Sequence, residues 1–136
     1  MAGITDLQQL LSAMQPKLWP GEYVFCAVSS PHTIDQQKII GLFREQEGCT
    51  VIIEKELADA MQLSYSSVAA WITLSVHSSL EAVGLTAAFS SALAKEGVSC
   101  NVVAAFYHDH IFVSKNDALK AMDILVRLSA QKNADS

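Results

Sequence analysis

The run from Trp71 to Lys115, WITLSVHSSLEAVGLTAAFSSALAKEGVSCNVVAAFYHDHIFVSK, constrains the fold most, because its hydrophobic period changes twice within one short stretch. From Ala69 to His77 the residues alternate. Ala70, Ile72, Leu74 and Val76 fall on one side and Trp71, Thr73, Ser75 and His77 on the other, as in a strand covered on one face. Leu85, Ala88, Phe89, Ala92 and Leu93 then take helical spacing with a single apolar face, ended by Lys95 and Gly97. Val102, Val103, Ala104 and Ala105 are apolar on both faces, which predicts a central strand over Val98–Tyr107. His108 and Asp109 are expected to turn the chain into the strand HIFVS. Asn116 or Asp117 then caps a helix burying Ala118, Ala121, Met122, Leu125 and Leu128.

The first half follows the same order with weaker signals. Ile4–Met14 has helical spacing, and Pro16 with Pro20-Gly21 is expected to stop and turn the chain. Glu22–Ser29 reads as a strand. IIGLFREQ and CTVIIE form a hairpin at Glu47-Gly48, and Lys55–Leu63 reads as a short helix. VSS at 28–30 matches VHSS at 76–79, and EKELADAM at 54–61 resembles SKNDALKAM at 114–122. The connection from Ser30 to Gly48 is too short for the crossover helix found between Ser79 and Asp109, so the first copy is the degenerate one. Strand, crossover helix, hairpin, helix is the start of a ferredoxin-like arrangement. The expected fold class is α+β: a tandem pair of ferredoxin-like βαββα units, with helices on one face of an antiparallel sheet. Residues 1–66 form the N-terminal degenerate unit and 67–136 the C-terminal unit.

Composition removes several classes of function. A net charge of -5 with nine Lys and Arg, none clustered, lacks the basic stripe that a phosphate backbone requires, so nucleic acid is not an expected partner. No apolar run approaches the roughly eighteen residues that span a bilayer, and the start MAGITDLQQLLSAMQPK carries no leader pattern. A protein with no membrane partner, located in the cytoplasm, is expected. Cys26, Cys49 and Cys100 sit among apolar neighbours and read as buried reduced thiols.

The loop HSSLEAVGLT can carry chemistry. Gly84 allows close approach of the backbone, and unpaired amides near Val83, Gly84 and Leu85 could hold a carboxylate at the helix start. Alternatively Ser79 or Glu81 simply caps the helix. In FYHDHIF, Asp109 could take an ammonium group while Phe106 lines the pocket for a carbon skeleton, or His-Asp could be ordinary turn chemistry. His108 and His110 flank a carboxylate, yet a metal would need further ligands from His32 or His77, so no metal and no cofactor are expected. There is no GxSxG, Walker loop, HExxH or GxGxxG. Glu81 with Asp109 could serve as an acid/base couple only in a dry cleft, so no catalytic residues and no enzyme activity are expected.

With VHSSLEAVGLTAAFSSALAKEGVS and NVVAAFYHDHIFV in place, the second half resembles the ACT domain, a regulatory ligand-binding module of aspartate kinases. The strand pair is also similar to the matching stretch of cytosolic arginine sensors. The whole chain resembles small stand-alone bacterial proteins of two ACT-like units, regarded as amino-acid-binding. The resemblance implies a sensor of an amino acid or related metabolite, and the incomplete first unit with its need for a partner surface leads to the expectation of a homodimer. It nominates Val83, Gly84, Leu85, Ser99, Asn101, Phe106 and Asp109 as ligand-binding. Two alternatives remain: a ligand-free interaction module, or a small enzyme on an amino-acid derivative using Asp109 or His110.

Overall fold

A computed structural model describes residues 2–75 and 84–135. The elements, in chain order, are α1 (Ala2–Ala13), β1 (Gln15–Leu18), β2 (Tyr23–Val28), β3 (Gly41–Arg44), β4 (Cys49–Glu54), α2 (Lys55–Ala60), β5 (Ala69–Ser75), α3 (Leu85–Lys95), β6 (Cys100–Ala104), β7 (Asp109–Ser114) and α4 (Ala118–Asp135). The architecture is α+β, with antiparallel strand pairs and ferredoxin-like units, as the order of periods predicts. Packing gathers the chain into two compact units: residues 20–70, and residues 1–19 together with 71–136. The sequence-based division at 66/67 runs along the chain, whereas this one follows contacts.

In the unit of residues 20–70 the strand order is β3-β4-β2, and β2 also pairs at Tyr23 with Ala69, the first residue of β5. Val24, Cys26, Val51 and Ile53 alternate inward and pack with Ile34 and Ala58 into one buried cluster. Two 3-10 turns, Pro31–Thr33 and Gln36–Lys38, occupy the place of a crossover helix. Ser30 and Asp35 cap them through their side-chain oxygens, so the polar connection satisfies its own amides.

In the second unit the order is β1-β5-β7-β6. Leu85, Phe89 and Leu93 of α3 and Ala121, Ile124 and Leu125 of α4 are buried, as are Ile72, Leu74, Ile111 and Val113 of the sheet. The edge beside β5 is filled by β1, from Gln15↔Ser75 to Leu18↔Ile72. Pro16, expected to break the chain, instead sits within this strand. β1 pairs with β5 alone, and proline's missing N–H is tolerated on such an edge.

Three expectations are corrected. β6 is an edge strand paired with β7, not a central one, and most of its residues are exposed. The hairpin turn lies at Phe106–Tyr107, closed by the Ala105 N–H donating to the His108 carbonyl at 3.0 Å; Asp109 already belongs to β7. Cys26 and Cys49 are buried thiols, but Cys100 on the edge strand is only half-buried.

Candidate functional site

Chain direction brings part of the expected ligand site to one end of the second unit. β5 runs toward Ser75, α3 returns, and β6 leads to a hairpin whose register closes at Ala104↔Asp109. Gly84, at the start of α3, and Asp109, at the start of β7, therefore belong to the end where β5 finishes. Gly84 has φ +97°, left-handed backbone that favours glycine, and its α-carbon faces Leu7 of α1. Leu85 is 3% exposed, so its side chain is committed to the core and only its backbone could meet a ligand.

The remaining nominated residues are spread more widely. Phe106 is 92% exposed at the hairpin tip, edge-on to Tyr107. Asn101 pairs with Phe112, three positions before the Ala104↔Asp109 pair. By alternation Asn101 and Asp109 leave opposite faces, about 10 Å apart along the strand. Ser99 is exposed just ahead of β6, on the side of Asn101 rather than of Asp109. Val83 lies outside the described residues, as do Ser79, Glu81 and His77. None of the nominated residues lines the groove of about 470 Å³ bounded by Lys38, Ile40, Glu54, Glu56 and Leu57 in the other unit. Among the described residues no three His, Cys, Asp or Glu side chains gather as a metal-binding group.

A polar and aromatic cluster that sequence reasoning missed occupies the sheet face turned away from Ile72, Leu74, Ile111 and Val113. Trp19 and Trp71 stack with ring centroids 4.6 Å apart, and Phe112 lies beyond Trp71 at 6.2 Å. The Lys17 ammonium sits 3.7 Å from the centre of the Trp19 ring, a cation–π contact. The Trp19 indole N–H donates to Thr73 Oγ1 at 2.8 Å, and the Trp71 indole N–H donates to His110 Nδ1 at 3.1 Å. Thr73 Oγ1 lies 2.9 Å from the same nitrogen. An indole can only donate, so Nδ1 is an acceptor, the Thr73 hydroxyl donates to it, and His110 is the neutral tautomer with its proton on Nε2. Burial disfavours the charged ring, His108 adds to this, and Asp109 opposes it, leaving His110 harder to protonate than an ordinary histidine. The alternation placing Trp71 with Thr73 was legible in β5. Trp19 was not, because β1 went unrecognised.

A sheet backed by helices, with a glycine-led helix start and a hairpin at one end, defines a small α+β module. Two ACT-domain family models match the chain, over residues 2–70 and 66–127, so it belongs to the ACT-domain family and carries two such domains in tandem. It is similar to a Vibrio cholerae protein of unknown function, described as a possible transport protein: 46% identity, 93% of this chain and 98% of that one, TM-score 0.84. An Agrobacterium tumefaciens protein shares the fold at 18% identity, covering 85% and 89% of the two chains, TM-score 0.69. The ligand-free regulatory subunit of aspartate kinase from Thermus thermophilus shares it at 9% identity, covering 83% and 95%, TM-score 0.55. Comparison with curated protein sequences gives no match.

Proposed function

We propose that this protein is a non-catalytic sensor that binds an amino acid or a closely related metabolite in its C-terminal ACT domain and acts in the cytoplasm as a homodimer. The observation that carries the reading is family membership across both halves, since ACT domains serve regulatory ligand binding. On this reading the amides at Val83, Gly84 and Leu85 take the carboxylate and Asp109 takes the ammonium group, at the end of the sheet where α3 and β7 begin. Ser99 and Asn101 lie toward the opposite end of β6 from Asp109, while Phe106 stands at the hairpin tip near it, so a complete site draws Ser99 and Asn101 from a second copy of the chain. The N-terminal domain, with 3-10 turns in place of its crossover helix, acts as the structural partner.

Thermal-shift screening of the twenty amino acids tests the proposal. A true ligand at a hundred times its Kd adds about 2.7 kcal/mol to folding stability. Asp109→Asn should weaken that ligand about tenfold or more, the scale of a lost charge-assisted hydrogen bond. A flat panel would remove the amino-acid reading. Light scattering checks the assembly: a monomer at all micromolar concentrations contradicts the shared site.

The exposed aromatic tip of Phe106 and Tyr107 favours a second reading, a module whose hairpin docks on another protein without any ligand. Under that reading Asp109→Asn changes nothing in the thermal panel, while Phe106→Ala with Tyr107→Ala abolishes self-association or partner binding.

A further inference from the structure

We propose that His110 is a proton-operated latch on Trp71: the neutral ring holds the indole against the sheet, and the protonated ring lets it go. The inference does not depend on the amino-acid reading. It starts from a mismatch that protonation creates. In the neutral ring Nδ1 accepts from the Trp71 indole at 3.1 Å and from the Thr73 hydroxyl at 2.9 Å. Adding a proton to Nδ1 sets one donor against another, and an indole has no acceptor to offer in exchange. Thr73 can adapt. Its oxygen has two lone pairs and already accepts from Trp19 at 2.8 Å, so it can turn and accept the new N–H as well. Trp71 cannot, and so Trp71 is the side chain that lets go while Trp19 keeps its bond.

The surroundings make this a local rearrangement rather than unfolding. The Trp19 backbone N–H donates to the Trp71 carbonyl at 2.9 Å, so the strand stays paired when the indole swings away. Among the described residues, the groups that bear on the charge of His110 are its strand neighbours Asp109, which favours it, and His108, which opposes it. Among the described residues β5 presents the uncharged Trp71 and Thr73, His77 lying outside them, and β6 presents Val103 as register partner. The ammonium of Lys17, on the strand position paired with Thr73, sits over the Trp19 indole. Phe112, which is 3% exposed, is stacked on the Trp71 indole.

The chain contains two tryptophans, both in the cluster, so its two indole N–H signals report directly. Nitrogen NMR of the unmodified full chain at neutral pH should show His110 with a bare Nδ1 and a protonated Nε2. As pH falls below 6.5 the ring should titrate, and the Trp71 indole signal should lose its hydrogen-bonded shift with the same midpoint while the Trp19 signal keeps its own. His110→Gln should abolish the pH response of Trp71, and His108→Gln should leave it in place. A proton on Nδ1 at neutral pH, or a Trp71 signal that stays put while His110 titrates, overturns the latch. If His110→Gln fails to fold, the wild-type spectra alone decide.

Discussion

Gly84 stands out in the sequence as a point of close backbone approach, and the structure adds a left-handed backbone there. Its φ of +97° strains any residue with a side chain, while an added methyl would stand an ordinary 3.4 Å from Leu7 Cδ2. The cost of Gly84→Ala is therefore a backbone cost, about 1–2 kcal/mol, measurable by urea denaturation. His110 is the opposite case. Its partners Trp71 and Thr73 lie 39 and 37 residues away, so no local pattern could announce the network. Because the folded ring is harder to protonate than the unfolded one, the unfolded chain gains the proton first as pH drops below about 6.5. Stability from this group is complete above that pH and declines as pH falls toward the depressed folded value. Chemical denaturation at a series of pH values should show the decline in the wild type and a smaller one in His110→Gln.

At the scale of elements, α3 was readable because three buried side chains at Leu85, Phe89 and Leu93 hold strict helical spacing. Phe89 is fully buried, so Phe89→Ala should cost about 3–5 kcal/mol, and a loss below 1 kcal/mol by denaturant titration would mean the helix is not seated as described. Strand β6 misled the reading. Val102, Val103, Ala104 and Ala105 are apolar enough for a sheet interior, yet only one neighbour strand pairs there, and apolar content alone does not tell an edge from a centre. β1 escaped notice for a different reason: four residues including a proline give too short a run for alternation to show, and its partner is supplied by β5 from far along the chain. Of the proposed ligand site, the helix start and Asp109 were nominated from their chemistry alone. The separation of Asn101 from Asp109 depended on hairpin register, which hinges on the turn position.

At the scale of the whole molecule, the two family matches meet near residues 66–70, but the contacts are interleaved. Helix α1 packs on α4, Met14 is 2% exposed, and Ser129 Oγ donates to the Met14 carbonyl at 3.2 Å. Removing residues 1–18 should therefore unfold the second unit, although the family match over 66–127 is left whole. Loss of its cooperative melting transition by calorimetry checks this, and an unchanged transition contradicts it. The same interleaving sets an order for synthesis. Residues 20–70 leave the ribosome as a finished set and can fold at once, while the opening segment must wait for the final helix before it finds its place. Nascent chains stalled shortly after residue 70 has emerged should thus protect the inner segment from protease and leave the leading nineteen residues open to cleavage until α4 has emerged.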